Sequence, residues 1–368
     1  MIRVFEPKIY FKDKFAILSA LNKKNISGSS YEIDKFESSL SEYFDRSFVA
    51  TLSNGSVALE VALKSLNLEI DDEVIIPSFT IISCLSAVVR SGGKPVFCDV
   101  DRLSWNMTLN DIKKVKTSKT KAIVMVHTYG LVAEAENIEK YCNENDIYLI
   151  EDSAEAHGQI INGKKCGSFG LISTLSFYAN KHITSGEGGA LLTDNDEVYN
   201  KVKQIRNLDF NSSKRFKHDN LYWNYRLSGL QAAFGNSSIK NIDKVINTKI
   251  KKAQVYNELF SEHEDILQVP LVELNGIQNH YWVYGIIPKV NIDRNLIMSS
   301  LHDLGIETRP FFYPLNKQPA YIKLNKEVTS CPVSEEIGEK GFYIPIGSHV
   351  KVKQQKQIVE KIVNLIKS

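Results

Sequence analysis

One lysine stands between two short β-rich runs, in a segment rich in polar residues and glycine. Residues 174–178 and 190–193 are predicted strands, Lys181 follows the first of them, and three of the four residues 186–189 are glycine. A lysine at a strand edge can lose part of its water shell, which lowers its pKa and makes its amine a nucleophile. Such an amine can form a Schiff base with an aldehyde cofactor. Without further context, an ordinary surface lysine is the simpler interpretation.

An acidic residue follows a predicted buried strand, 29 residues before the lysine (181 − 152). Residues 147–150 are apolar and bounded by polar residues, which is typical of a parallel strand, and Asp152 comes shortly after them. Ligands of open α/β sheets bind beyond the carboxyl ends of the strands. A carboxylate at that place can keep the ring nitrogen of pyridoxal phosphate protonated, so that the ring acts as an electron sink. The alternatives are a helix cap and a structural network.

A Ser-Asn-Gly-Ser segment, residues 53–56, precedes an apolar stretch, residues 57–66, that is predicted to form a largely buried helix. Glycine lets the backbone approach an anion, and the N–H groups and dipole of a helix N-terminus favour phosphate. The hydroxyl groups of Ser56 and Ser176 are candidate donors beside Gly55. A plain helix cap explains the same residues without a ligand.

A further segment, residues 222–228, combines aromatic residues with Asn224 and Arg226. An amide and a guanidinium in an aromatic setting suit phosphate or carboxylate binding. A helix start with aromatic core contacts fits equally well. This segment alone therefore assigns no site.

Together these four segments resemble the DegT-type sugar-nucleotide aminotransferases, which are fold-type-I pyridoxal phosphate enzymes. The resemblance covers nearly the whole chain, and the motif around Lys181 with its glycines is its most specific part. Residues 306–314 look like the matching stretch of the GDP-perosamine synthase branch of that family. The remaining motifs that share the resemblance are residues 72–80, 126–130 and 151–156.

The resemblance implies a role for each matching residue near the cofactor ring. Lys181 would hold the cofactor as a Schiff base and then shuttle the proton. Asp152 would pair with the pyridine nitrogen, and Glu155 would lie close to the ring and its 3-oxygen.

The resemblance also implies which residues hold the cofactor phosphate and the substrate. Gly55, Ser56 and Ser176 would bind the phosphate. Asn224 would reach it from the neighbouring subunit, so the active site would need a homodimer. The residues that lie where relatives approach the substrate are Arg309 and Tyr313.

Two positions depart from the family pattern. The family usually has an aromatic residue over the cofactor ring at the position of Ile81, so an aliphatic side chain or another aromatic residue would cover the ring here. The family commonly has threonine in place of Ser56, and the hydroxyl group is kept. A dehydratase branch replaces the lysine with histidine; because Lys181 is present and His182 follows it, transamination is favoured over dehydration.

The resemblance implies that the chain transfers an amino group from an amino acid, expected to be glutamate, to a keto-sugar nucleotide. The expected acceptor is a 4-keto-6-deoxy sugar used in surface-polysaccharide biosynthesis. Transamination of another ketone, such as a 3-keto sugar or a small phosphorylated ketone, stays open. So does a non-catalytic, cofactor-binding regulator.

Composition agrees with a two-domain enzyme. The 368 residues suffice for two domains, and the hydrophobic fraction of 43% permits a large core. The net charge of +2 provides no general basic surface for binding nucleic acid. The basic clusters at 113–114 and 249–252 are predicted to be solvated helix faces. Five scattered cysteines predict neither a disulfide framework nor a zinc site, and no metal is expected. The same cysteine pattern fits a reducing cytoplasm, which is the expected location. The N-terminal residues have no long apolar core typical of a signal peptide, and no stretch approaches the length of a membrane helix.

Strand-like and helix-like stretches alternate along the chain. Residues 73–77, 95–99, 121–127 and 147–151 are predicted strands, with helices such as 81–91 and 135–143 between them. This alternation predicts an α/β fold, a mainly parallel mixed sheet flanked by helices. We expect a large cofactor-binding domain at residues 1–240 and a smaller α/β domain at 241–368. The polar segment 201–222 is predicted to be a loop near the site.

Overall fold

Short helices and strands alternate along the computed structural model, which describes residues 1–210, 216–324 and 329–367. The helices are α1 (Phe11–Asn22), α2 (Tyr31–Phe44), α3 (Gly55–Ser65), α4 (Ser83–Arg90), α5 (Leu109–Val115), α6 (Ala135–Glu144), α7 (Asp196–Arg206), α8 (Gly229–Ser238), α9 (Ile242–Phe260), α10 (Arg294–Asp303), α11 (Pro319–Leu324), α12 (Pro332–Lys340) and α13 (Val352–Lys367). The strands are β1 (Phe48–Leu52), β2 (Glu73–Pro77), β3 (Lys94–Cys98), β4 (Thr120–Val126), β5 (Tyr148–Asp152), β6 (Ile160–Ile161), β7 (Lys164–Lys165), β8 (Ile172–Ser176), β9 (Gly189–Thr193), β10 (Leu267–Gln268), β11 (Glu273–Leu274), β12 (Ile277–Gln278), β13 (Tyr284–Pro288), β14 (Arg309–Pro310) and β15 (Phe342–Ile344).

A seven-stranded sheet in the order β1-β9-β8-β5-β4-β2-β3 forms the centre of the larger part of the molecule. Neighbours from β8 to β3 pair in parallel, whereas β9 runs antiparallel to both β8 and β1. Parallel neighbours need a crossover connection, which the intervening helices supply. The prediction of a mainly parallel mixed sheet flanked by helices is therefore confirmed.

Both faces of this sheet are buried. Val74 and Ile76 of β2 pack in a cluster with residues of α3 and α4, whereas Ile75 packs in another cluster with residues of α5 and α6. Because side chains alternate along a strand, a strand that is apolar throughout can cover two helix layers at once.

A second sheet, in the order β10-β13-β15-β14, is antiparallel. Tyr256 of α9, Leu301 of α10 and Ile362 of α13 share one apolar cluster with residues of this sheet. This is the smaller C-terminal α/β part that the sequence predicts. The boundary between residues 240 and 241 stays a prediction.

The predicted loop at residues 201–222 is wrong in its first part. Helix α7 continues to Arg206, with Asn195 accepting a hydrogen bond from the Val198 N–H at its start. The polar residues 211–215 lie outside the described residues.

Candidate active site

A cavity of about 570 Å³ lies at the carboxyl ends of β4, β5 and β8. These strands end at Val126, Asp152 and Ser176, and all three residues border the cavity. This is the edge at which open α/β sheets bind ligands. The predicted site residues that border the cavity are Gly55, Ser56, Asp152, Glu155, Ser176, Lys181 and Arg309.

Lys181 lies in the connection between β8 and β9, and its side chain is only 8% exposed. Its Nζ is 3.5 Å from Oε1 of Glu155 and 3.6 Å from the centroid of the Trp282 ring. Burial lowers the pKa of Lys181, while the charges of Glu155 and Asp152 oppose that change. A lowered pKa increases the share of free amine, which is the nucleophilic and proton-accepting form.

Asp152 ends β5 and is almost fully buried. Its Oδ1 accepts a hydrogen bond from the Ala154 N–H at 3.1 Å, and its Oδ2 is 3.8 Å from the Cys84 sulfur. Burial raises the pKa of Asp152, and the Ala154 hydrogen bond and the Lys181 charge oppose that effect. Within the described residues no cation forms an ion pair with Asp152, so a cationic ligand could complete its environment.

Glu155 is a second buried carboxyl group on the same side of the cavity. Its Oε2 accepts a hydrogen bond from the Tyr129 N–H at 2.9 Å. Burial raises the pKa of Glu155 to about 7, although Lys181 lowers it. The backbone of Tyr129 has a φ of 58°, and this left-handed conformation costs about 1 kcal/mol or more in a residue other than glycine.

The start of α3 lies against the end of β8. The side chain of Asn54 caps the helix by accepting a hydrogen bond from the Val57 N–H at 2.9 Å, so a cap and a ligand site coexist here. A Cβ at Gly55 would lie 2.7 Å from the Cβ of Ser176, so glycine is needed for this approach. The Ser56 hydroxyl is 2.6 Å from that of Ser83. Hydroxyl groups beside a helix N-terminus can bind a phosphate.

A model of the DegT/DnrJ/EryC1/StrS aminotransferase family matches residues 11–363. The chain belongs to this family. It is 35% identical over 366 residues to GDP-perosamine synthase from Vibrio cholerae, with 99% of each chain covered. It is 33% identical over 365 residues to GDP-perosamine synthase from Escherichia coli O157:H7, covering 98% of this chain and 97% of that one. The family resemblance inferred from the motifs is confirmed.

A solved structure shares the fold of this aminotransferase. It is a Helicobacter pylori aminotransferase involved in the biosynthesis of pseudoaminic acid. The two align with a TM-score of 0.93 at 24% sequence identity, covering 100% of this chain and 99% of that one. The fold class expected from the sequence is thereby confirmed.

Two predicted site residues of the aminotransferase lie outside its cavity. Asn224 is exposed, pairs with Asn207 through an isolated β-bridge and accepts a hydrogen bond from the Arg226 N–H. Its predicted contact is with the cofactor of a neighbouring subunit, and this contact stays a prediction. Tyr313 is 56% exposed and does not border the cavity, and its predicted substrate contact stays a prediction.

The helix-start interpretation of residues 222–228 describes the local structure. Ser228 caps α8 by accepting a hydrogen bond from the Gln231 N–H, and the Gln231 side chain accepts one from the Ser228 N–H. Tyr225 packs in the core beside α3. A cap followed three residues later by glutamine is a recognised helix-start pattern.

The family departure at Ile81 leaves an aliphatic side chain facing the cavity. Ile81 borders the cavity and is 41% exposed. Aromatic side chains from other parts of the chain also border it, and these are Phe5, Tyr178, Trp282, Phe312 and Tyr343. The structure therefore offers several aromatic neighbours for a ring in this cavity.

Three residues near the site were missed by the sequence analysis. Trp282 lies in an aromatic run without a distinguishing motif, and Cys84 lies on α4 without one either. Lys249 was expected on a solvated helix face, which is wrong: its Nζ donates a hydrogen bond to the Trp282 carbonyl at 2.8 Å, and its buried surroundings and the Lys181 charge lower its pKa to about 7. No sequence signal distinguishes Lys249 from exposed lysines on the same helix.

One buried group of possible metal ligands lies apart from the cavity. Ligand atoms of His127, Glu151 and Cys166 are within 4.8 Å of one another. The oxygens of Glu151 already accept hydrogen bonds from His127, the Gly167 and Phe169 N–H groups and the Ser173 hydroxyl. This saturated carboxylate is a structural centre joining β4, β5 and β8.

All five cysteines are free and buried. None of the described helices combines the length and the apolar character needed to span a membrane.

Proposed function

We propose that this chain is a pyridoxal phosphate-dependent aminotransferase that moves an amino group from glutamate to a keto-sugar nucleotide. The proposed acceptor is a 4-keto-6-deoxy sugar, and the amino sugar formed serves surface-polysaccharide biosynthesis. One observation carries the proposal: the Lys181 amine, the Asp152 carboxylate and the Gly55–Ser56 helix start border a single cavity. The family match and the GDP-perosamine synthase relatives support this choice of chemistry and acceptor.

The residues present fit pyridoxal phosphate. A helix start with a glycine and two serine hydroxyl groups suits its phosphate. A buried carboxylate without an ion-pair partner among the described residues suits a protonated ring nitrogen. The buried amine of Lys181 suits covalent attachment to an aldehyde.

When bound, the cofactor supplies an aldehyde for amine attachment and a ring that accepts electrons. Lys181 would hold the cofactor through its amine. The Nζ of Lys181 would also take up the proton that the donor α-carbon loses and return it during the transfer. Because burial lowers the pKa of Lys181, more of this amine is unprotonated and able to act as a base.

The two carboxyl groups have different tasks in this proposal. Asp152 keeps a proton on the ring nitrogen, since a carboxylate beside a cation favours the charged form. Glu155, whose pKa burial raises to about 7, would hold or release a proton at neutral pH near the bound ring. The Arg309 guanidinium borders the cavity and offers a cation to an acidic group of the substrate.

The proposed enzyme is a homodimer in which Asn224 completes the phosphate site of the other subunit. Asn224 is exposed and away from its own cavity, as such an exchange requires. Phe11, Phe15 and Leu18 form an exposed apolar stripe along α1, at the spacing of one helix face. A second copy of the chain would cover such a stripe. The five free cysteines support a reducing location, and we propose the cytoplasm.

Nitrogen-15 glutamate tests the proposal directly. The purified protein is incubated with pyridoxal phosphate, labelled glutamate and GDP-4-keto-6-deoxymannose, and the product is analysed by mass spectrometry. We expect an amino-sugar nucleotide that carries the label, and none with the Lys181→Ala variant. Faster labelling of a 3-keto sugar nucleotide or a small phosphorylated ketone would contradict the proposed acceptor. Cofactor binding without label transfer to any ketone would favour the regulator instead.

A further inference from the structure

The amine of Lys181 rests between an indole face and a carboxyl group. Its Nζ is 3.6 Å from the Trp282 ring centroid and 3.5 Å from Oε1 of Glu155. An ammonium over an indole within about 6 Å is attracted by the negative face of the ring. We propose that Trp282 is a positioning residue, which holds this amine in place whenever the amine is not attached to the cofactor. The Trp282 ring and the Glu155 carboxyl group together form what we call the seat of the amine. The inference rests on the proposed role of Lys181 as the cofactor anchor.

The backbone of Trp282 is held on both sides. Its N–H donates to the Tyr129 carbonyl at 3.1 Å, and its carbonyl accepts from Lys249 Nζ at 2.8 Å. A Cβ at Gly130 would lie only 2.5 Å from the Trp282 nitrogen, so the glycine permits this close approach. The backbone of Trp282 is therefore held in place. Since the residue is only 7% exposed, close packing also restricts rotation of its indole side chain.

One residue fixes both halves of this seat. Tyr129 donates its N–H to Glu155 and accepts from the N–H of Trp282 with its carbonyl. Its ring also packs against the indole, with the two ring centroids 5.8 Å apart. The strained backbone of Tyr129 thereby sets the separation between the carboxyl group and the indole face.

The charges around the amine act in opposite directions. Glu155 and Asp152 favour the ammonium form of Lys181, whereas burial disfavours it. Lys249 is a like charge when protonated, and the Lys181 charge helps to lower its pKa. Burial lowers the pKa of His157 to about 3 and that of His182 well below its usual range, so both imidazoles are neutral near pH 7. The indole itself does not titrate, so its attraction for the ammonium form of Lys181 does not change with the ionisation of the neighbouring groups.

A seat of this kind serves the second half of the reaction. The freed amine must stay near the reacting carbon to return its proton, and it must later reattach. Fixing its place before the step lowers the entropy lost in reaching the transition state. Trp282 belongs to the segment that leads into β13. A residue from the smaller part of the molecule therefore positions the amine of a lysine from the larger part.

Amine labelling of the cofactor-free protein tests the seat. An amine-reactive acylating reagent is applied over a range of pH, and labelling of the Lys181 peptide is measured by mass spectrometry. For Trp282→Leu we expect the labelling midpoint to fall by about half a pH unit to one pH unit, because an ammonium loses its attraction to the indole. Trp282→Phe keeps a weaker ring and is expected to lie between Leu and the parent.

Trp105→Leu is the matched control. Trp105 is also buried and also packs on the Tyr129 ring, but it makes no ring contact with Lys181. We expect its labelling midpoint to equal that of the parent. If Trp282→Leu does not fold, as judged by its circular dichroism melting curve, Trp282→Phe still decides the question.

Two results would overturn the seat. A midpoint that rises in the Trp282 variants would show that the indole only keeps water away from the amine. An unchanged midpoint would show that it does not stabilise the ammonium. Because no cofactor or substrate is present, either result leaves the anchoring role of Lys181 intact, and that role is tested separately by Lys181→Ala. With loaded enzyme we expect kcat to fall about tenfold in Trp282→Leu while KM for the keto-sugar stays constant.

Discussion

At the scale of single residues, burial brings the pKa values of two carboxyl groups and one amine in the cavity closer together. Burial raises the pKa values of Asp152 and Glu155 and lowers that of Lys181. An acid and an amine shifted in these directions can exchange protons near neutral pH, as acid–base catalysis requires. Lys181 and the two carboxyl groups limit one another's shifts, since opposite charges favour the ionised forms, whereas the Asp152 charge raises the pKa of Glu155 further.

Asp152→Asn tests the charge on the ring-nitrogen partner. The amide has the size of the carboxylate but no charge, so it cannot stabilise a proton on the ring. We expect the cofactor to remain bound, shown by its absorbance after gel filtration, and kcat to fall about 100-fold. Asp71→Asn is the control, because that side chain is 80% exposed. A near-normal kcat in Asp152→Asn would remove Asp152 from the mechanism.

Glu155 predicts a pH-dependent stability of the cofactor-free protein. Its pKa is about 7 in the folded protein against an ordinary value of 4.5, so between these values the folded state keeps a proton that the unfolded chain releases. The free energy of unfolding therefore falls through Glu155 as the pH rises across that window. As the pH rises from about 5 to about 7, the free energy of unfolding of Glu155→Gln should increase by about 1–3 kcal/mol relative to that of the parent.

Urea denaturation at the two ends of that window measures this gain. Glu144→Gln is the matched control, because the Glu144 side chain is 61% exposed. If the free energies of unfolding of Glu155→Gln and the parent differ by the same amount at both pH values, the result would show that Glu155 is not buried in its neutral form.

At the scale of elements, the phosphate cradle depends on how closely α3 approaches β8. Gly55 starts the helix and Ser176 ends the strand, and their contact leaves no space for a methyl group. The capping hydrogen bond from Val57 to Asn54 fixes where the helix begins. The cradle is thus a property of two elements, and not of one loop.

Gly55→Ala should separate these elements. An added Cβ would meet that of Ser176 at 2.7 Å, and such overpacking costs about 1–3 kcal/mol. We expect a lower melting temperature and at least about tenfold weaker binding of pyridoxal phosphate, measured by fluorescence titration. Adding Ser176→Gly removes the opposing atom, so the double variant should regain melting temperature. No recovery in the double variant would contradict this contact as the cause.

At the scale of the whole molecule, the site is assembled from both sheets and, in our proposal, from two chains. Trp282 and Arg309 come from the C-terminal third, whereas Lys181 and Asp152 come from the seven-stranded sheet and its connections. Asn224 and the exposed stripe on α1 do not serve the cavity of their own chain. In the proposed dimer, Asn224 would contact the phosphate site of the second copy, and the second copy would cover the stripe on α1.

Mixed dimers test the shared site. When Asn224 acts across the interface, a heterodimer of Lys181→Ala and Asn224→Ala chains, isolated with two affinity tags, contains one site with both changes and one site with neither. If Asn224 acts across the interface, this heterodimer should have about half the activity of the parent, although each homodimer is impaired. If Asn224 acts within its own chain, the heterodimer has no intact site and stays impaired.

The local pattern of the chain specified much of this molecule. Residues 73–77 were predicted as a strand and form β2, and residues 135–143 fall within α6. Short apolar runs between polar turns are local signals, because each strand must bury both of its faces. The end of the predicted strand at residues 147–150 also placed Asp152 at the carboxyl edge of the sheet, where β5 ends.

The sequence by itself determined the mainly parallel sheet, the family and the amine, carboxylate and glycine motifs, because each lies in a short segment with its own pattern. Only the tertiary structure decided what surrounds the amine. Trp282 lies 101 residues after Lys181 (282 − 181), and Lys249 shares its helix with exposed lysines, so neither carries a local signal. Burial and close packing are sums over distant segments, and they exist only once the two sheets have come together.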